Sequence, residues 1–205
     1  MTPDVNERAA VGGRDMRTSI IDAAARLFAE KGYNATSVRE VVEAAGCRKP
    51  ALYYYFDNKE DLFLQILRRS CSTLDAVVRD ALAQPGTVYD RLQRALHAYL
   101  GLVRRNETCL RLWMTAERHP EKGQPFFDFD ALRQGHIDIM RGVMEKGVQS
   151  GELRAGIDID EAVLGLLGMV DHRLVLSLHG RPVPDDYPER LLDLIFNGVG
   201  ACHIR

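Results

Sequence analysis

Residues 44–62 read AAGCRKPALYYYFDNKEDL, with three consecutive tyrosines just after a proline and just before a charged run. A buried helix would spread these phenols around its whole circumference. Hydroxyls that lost water there without gaining a partner would cost roughly 1–3 kcal/mol each. Some of the three must therefore face something polar. The fixed φ and missing N–H of Pro50 suit a first helical turn, so a short helix is predicted from Lys49 or Pro50, ending by Asp57–Asn58. Leu52 and Phe56 lie four apart and share its inward face. Lys49 and Tyr53 share another face, and Tyr54 lies about 100° further round, away from the Leu52/Phe56 seam. Tyr55, one turn on from Leu52, leans partly on the core.

Upstream, NATSVREVVEAAGC (34–47) places Glu40 three residues after Ser37. That capping box starts a helix of barely two turns carrying Val38, Val41 and Val42 and ending at Gly46. A longer helix is predicted from about Arg17 to Lys31, with Ile20, Ile21, Ala24, Leu27 and Phe28 on one face and Gly32 at an αL cap position. Two short helices joined by a glycine-containing turn and buttressed by a longer one form a helix-turn-helix. In that setting an exposed phenol can lie along a sugar-phosphate backbone and donate its O–H to a phosphate or a base edge. The helix N-terminus adds its own attraction for phosphate.

Composition limits what surrounds this motif. The chain has 205 residues, 46% hydrophobic and 27% charged, enough for one substantial core or two small ones. Apolar residues recur at three and four almost throughout, and alternating strand patterns are absent, so the fold class expected is all-α. A net charge of −2 argues against wholesale coating of nucleic acid. Between Arg14 and Glu60 there are eight Lys/Arg against seven Asp/Glu, so any DNA binding must come from a local face. Residues 1–16 read as a flexible N-terminal arm, without the apolar core of a signal peptide. The longest apolar run, AVLGLLGMV, is nine residues, against the roughly 20 a membrane span needs. Cys47, Cys71, Cys109 and Cys202 stand far apart and read as free thiols in a reducing cytoplasm. A cytoplasmic protein with no membrane contact is expected.

The stretch AARLFAEKGYNATSVREVVEAAGCRKPALYYYFDNKEDLF resembles the TetR family of bacterial transcriptional regulators over residues 17–67. The shared features are L-F-x-x-x-G-Y, the Thr-Ser helix start, the A-G turn, the L-Y-x-Y-F helix and the N-K-E-D-L opening of a fourth helix. The resemblance implies that Thr36 and Ser37 touch phosphate, that Lys49, Ala51, Tyr53 and Tyr54 lie in the major groove, and that Lys59 anchors a phosphate. Residues 37–56 would be the DNA-binding motif within a domain spanning 17–58. Many relatives carry a small hydroxyl residue at the position of Arg48 and glycine at that of Pro50; here the turn is bulkier, cationic and stiffer. Arg48 can reach a guanine or a phosphate, and a solvated basic turn is the alternative for Arg48 and Lys49.

Residues 59–205 are different in character. One amphipathic helix is predicted from Lys59 to about Ala83 (Leu62, Ile66, Leu67, Leu74, Val77, Val78, Leu82), followed by helices near 87–105, 107–118, 126–149 and 160–179. A last helix falls in YPERLLDLIFNGVG. The helix near 160–179 carries two apolar stripes, one through Val163, Leu167, Val170, Leu174 and Leu178 and one through Gly165, Met169, His172, Leu176 and His179. It must bury two faces. As in the family, a two-fold homodimer through the last two helices is inferred, with Gly165, Gly168, Leu176, Leu192, Ile195 and Phe196 at the interface; a palindromic operator would match it. The resemblance also implies an effector pocket in residues 59–180. Its candidates are Tyr99, Trp113, Phe126, Phe127, His136, Met169 and His172, and its ligand an apolar or aromatic small molecule. Ordinary core or dimer contact is the alternative for each. Glu117, Arg118 and His119 read as a solvated helix end.

An enzyme is the competing class. G-x-S-x-G, H-E-x-x-H, P-loop and G-x-G-x-x-G patterns are all absent, and the six histidines are scattered. No cofactor, metal or catalytic residue is called for. An architectural DNA binder without a ligand would need a smaller, more basic chain. The expectation is a ligand-responsive repressor that binds double-stranded operator DNA as a homodimer and is released by an effector.

Overall fold

The computed structural model describes residues 15–198, and among them there are nine α-helices and no strand. They are α1 (Met16–Lys31), α2 (Val38–Ala44), α3 (Lys49–Tyr55), α4 (Lys59–Ala83), α5 (Val88–Arg105), α6 (Glu107–Arg118), α7 (Phe129–Ser150), α8 (Ile159–Leu178) and α9 (Tyr187–Asn197). The arm expected over 1–16 lies, except for Asp15 and Met16, outside the described residues, as does Cys202. Cys47, Cys71 and Cys109 are free thiols.

Most helix starts are set by side chains within three residues. Ser37 Oγ accepts from Glu40 N at 3.2 Å while Glu40 Oε2 accepts from Ser37 N at 2.8 Å, the reciprocal pair that begins α2. Asn58 Oδ1 accepts from Asp61 N at 2.8 Å to begin α4, and Thr87 with Asp90 repeats the box at α5. The start of α7 departs from expectation. Asp128 caps it by accepting from Ala131 N at 2.8 Å, so Phe126 and Phe127 precede the helix. Three phenylalanines in four positions imitate a helical face, but the cap decides the boundary.

The chain gathers into two compact units. One holds the residues up to Arg69 together with Thr108–Phe126; the other holds Ser70–Glu107 and the residues from Phe127 on. In the first, α1 packs on both α2 and α3, and α2 on α3. Ile20, Ala24, Phe28, Val41, Leu52, Phe56, Leu62, Phe63 and Ile66 are buried together. Each large side chain so buried contributes about 1.5–3 kcal/mol, which is what holds α2 and α3. At seven residues each they are too short to persist alone. Leu27, expected inward, is half-buried.

Gly32 ends α1 with φ 85° and ψ 172°, outside the αL region expected and in one that only glycine occupies readily. In the second unit, α7 packs on α8, α5 on α9 and α7, and α8 on α9. The buried stripe of α8 runs through Val163, Leu166, Val170 and Leu174, with Leu167 and Leu178 half-buried. Among the described residues no helix is long and apolar enough to cross a membrane.

Candidate nucleic-acid interface

The turn before α3 and the outer side of that helix form one continuous polar face. Arg48, the N-cap residue, makes no side-chain capping bond. It is exposed, as are Lys49 and Pro50. Leu52 is fully buried and Phe56 is 2% exposed, while Tyr53 and Tyr54 are 51% and 81% exposed. That contrast within five residues places the phenols of Tyr53 and Tyr54 outward over a sealed apolar seam. Tyr55 is half-buried, its ring 4.9 Å from that of Tyr54 in an edge-on arrangement and 6.4 Å from Phe56. Ala51 is partly exposed beside Arg48.

Thr36 and Lys59, both expected at phosphate, make contacts within the unit. Thr36 is 1% exposed, and its hydroxyl donates to the Gly32 carbonyl at 2.8 Å, so it has no group to offer a duplex. Lys59 turns inward: Nζ donates to the carbonyls of Tyr33 at 2.9 Å and Thr36 at 3.0 Å, and lies 4.2 Å from the centroid of the Tyr33 ring. Two of its three donors are spent within the unit. Ser37 remains exposed, its hydroxyl engaged with Glu40.

Around the motif, polar contacts tie the helices together. Arg17 Nη2 donates to Gln65 Oε1 at 2.7 Å, and Gln65 Nε2 donates to Asp61 Oδ2 at 2.9 Å, which joins the start of α1 to α4. Lys31 Nζ lies 2.6 Å from Glu40 Oε1. That ammonium, with the Ser37 N–H and hydroxyl, lowers the Glu40 carboxyl to about 2. Burial raises the Tyr33 phenol, whose ring stands 5.0 Å from Phe63 and 5.8 Å from Phe28.

The residues expected to line an effector pocket fall in both units. Trp113 and Phe126 belong to the first unit, and Phe126 is 84% exposed. Tyr99, Phe127, His136, Met169 and His172 belong to the second. His136 Nε2 lies 2.7 Å from Asp75 Oδ1, linking α7 to α4. Phe127 stands 4.8 Å from Phe129. Met169 and His172 sit on the exposed side of α8, as does Gly168, with Gly165 half-exposed. The expected interface residues also divide. Leu192 is fully buried within its own unit and is core. Gly165, Leu176, Ile195 and Phe196 are half-exposed, and the Phe196 ring packs 5.3 Å from Tyr89. Leu164 and Leu194, not named among the expected interface residues, are exposed at 48% and 37%. The four-residue spacing of Leu164, Gly168 and His172 was the available signal.

The helix-turn-helix coincides with a match over residues 20–66 to the model of bacterial regulatory proteins of the tetR family. Residues 82–195 match that of the tetracyclin repressor-like C-terminal domain. The HTH-type transcriptional repressor KstR2 of Rhodococcus jostii (strain RHA1) is 29% identical over 98% of each chain. PfmR, a TetR family transcriptional regulator from Thermus thermophilus, is 27% identical and superimposes with a TM-score of 0.72 over 89% of this chain and 99% of its own. The transcriptional regulator FadR of Bacillus subtilis, solved in complex with stearoyl-CoA, shares the fold at 21% identity, with a TM-score of 0.72 over 89% of this chain and 99% of its own. With both halves matched and a polar recognition face on the motif, the chain belongs to the TetR family and is a DNA-binding transcriptional regulator.

Proposed function

We propose that the chain is a ligand-responsive repressor of the cytoplasm that binds a palindromic operator as a homodimer and is released by a small-molecule effector with a large apolar part. The observation that carries this reading is the outward face of α3. Arg48, Lys49, Tyr53 and Tyr54 are exposed together directly above a closed Leu52/Phe56 core. Lys49, Tyr53, Tyr54 and Ala51 enter the major groove, with Arg48 and Ser37 at its rim. Residues 17–58 read the operator, and the chain from residue 59 on binds the effector and dimerises.

The outer stripe of α8, with Leu164, Gly165, Gly168 and Met169, joins Leu194 of α9 as the two-fold interface. An isologous contact there would give the operator a matching symmetry, with recognition helices about 34–36 Å apart. The complex of the Bacillus subtilis regulator with stearoyl-CoA makes long-chain acyl-CoA the first effector class to test here. An effector shifts the equilibrium only by its differential affinity for the DNA-competent and released states.

The test is selection of bound duplexes from a random library by purified protein at two salt concentrations. The expected result is an enriched palindrome with half-sites about one helical turn apart, whose affinity falls as salt rises and as stearoyl-CoA is added. No enrichment at low salt would sink the operator reading. An enriched operator indifferent to acyl-CoA would remove that effector class alone.

A further inference from the structure

The loop between α1 and α2 is held by a residue far away in the chain. Oε1 of Glu121 accepts the Tyr33 N–H at 2.7 Å, and Oε2 accepts the Asn34 N–H at 2.9 Å. The Asn34 side-chain amide donates to the Lys122 carbonyl at 2.9 Å. Glu121 follows α6, in the segment Thr108–Phe126 that packs within the same compact unit as α1, α2 and α3. The chain enters this segment from Glu107 and leaves it at Phe127, both in the other unit.

The arrangement is specific at atomic scale. A Cβ on Gly32 would lie 1.8 Å from Glu121 Oε1, so the carboxylate occupies room that only glycine leaves. The peptide joining Tyr33 to Asn34 is gripped at both ends: its N–H meets Glu121, and its C=O meets the Lys59 ammonium at 2.9 Å. Charge-assisted bonds of this kind are roughly twice as strong as neutral ones. Lys59 also holds the Thr36 carbonyl, and the next residue, Ser37, is the N-cap of α2. The register in which α2 begins is therefore set three residues downstream of the Glu121 contact.

We propose that Glu121 is a positioning residue for operator binding: its bidentate carboxylate pins the α1–α2 loop and, through it, the start of the helix-turn-helix. It touches no DNA in this role. The segment 108–126 thereby acts on the motif from outside residues 17–58, a role that rests on the DNA-binding reading above.

The test uses the full-length chain, its selected operator, and amide hydrogen exchange in the absence of DNA. Glu121→Ala should speed exchange at Tyr33 and Asn34 and weaken operator affinity about tenfold, the size expected for losing charged hydrogen bonds. Glu121→Gln keeps the side chain's size and one acceptor, and should fall between wild type and Glu121→Ala on both readouts. Lys122→Ala, whose backbone carbonyl stays in place, should match wild type. Wild-type affinity in Glu121→Ala, or unchanged exchange at the two amides, would overturn the role. Affinity losses that only tracked lowered thermal midpoints across the three variants would overturn it too. A wild-type protein that selected no duplex would overturn the DNA reading and this role with it, whereas accelerated exchange would still locate the latch.

Discussion

The Lys59 ammonium lies 4.2 Å from the centroid of the Tyr33 ring and donates to the Tyr33 carbonyl at 2.9 Å, so the first residue of α4 braces the loop that precedes α2. A lysine at the opening of a helix that borders a DNA-binding motif reads from sequence as a phosphate anchor. Here its charge is spent on backbone carbonyls and an aromatic face. Removing it should therefore lower stability before it alters DNA contacts.

Lys59→Met keeps the aliphatic stem and deletes two charge-assisted hydrogen bonds and the cation–π contact. Because the group is only half-buried, the loss should be about 2 kcal/mol, or a fall of roughly 4–8 °C in thermal midpoint for a chain of this size. Circular dichroism of the two proteins checks this, and equal midpoints would return Lys59 to the list of phosphate contacts.

Tyr53 and Lys49 behave oppositely. Both are exposed, so Tyr53→Ala and Lys49→Ala should change folding stability by no more than about 0.5 kcal/mol. Each should weaken operator binding by about 1–3 kcal/mol. If Lys49 pairs with a phosphate, its removal should also flatten the dependence of log K on log salt by about one. Fluorescence anisotropy titrations at several salt concentrations give both numbers, and a variant that binds as wild type leaves the recognition face without that residue.

The acid limb of stability should carry the signature of Glu40. Its carboxyl is lowered from an ordinary 4.5 to about 2, chiefly by the Lys31 ammonium and then by Ser37. A depressed carboxyl contributes in full above its unfolded value, and that contribution is lost as pH falls through the folded value. Wild type should thus lose stability between pH 4.5 and about 2 more steeply than Glu40→Gln, which has no charge to lose there. Thermal midpoints of both proteins across that window decide it; parallel curves would mean the capping box and the Lys31 contact are not coupled to folding.

Leu164 on α8 and Leu194 on α9 should behave as interface residues. Leu164 is 48% exposed in the single chain, so Leu164→Glu should leave the protomer's melting nearly unchanged. In a two-fold contact it would bring two carboxylates face to face and weaken association by about 2–5 kcal/mol. Sedimentation velocity at micromolar protein should shift from dimer to monomer. A dimer that persisted would place the interface elsewhere.

The features legible in the sequence share a short range. The Ser37/Glu40 box closes within three residues, so the start of α2 could be read directly, and the Thr87/Asp90 box that begins α5 has the same short reach. The outward turn of Tyr53 and Tyr54 followed from their angle to Leu52 and Phe56. Where local pattern misled, a longer contact or a competing cap was responsible. Phe126 extended an apolar run that Asp128 cuts off, and Leu192 lay on a stripe shared by core and surface. Apolar and histidine side chains on a helix, such as Met169 and His172, carry no mark of which neighbour covers them, so periodicity alone does not say what they meet.

The sequence by itself determined an all-α chain, the ends of most of its helices, and a short helix with polar aromatics turned outward. Those properties depend on interactions among residues no more than about four apart. Only the tertiary structure decided that Thr36 is buried, that Lys59 faces inward, and that Glu121, 88 residues from Tyr33, holds the loop ahead of α2. Each of these depends on which distant surfaces meet when the chain closes, and no periodicity within a single helix encodes that choice.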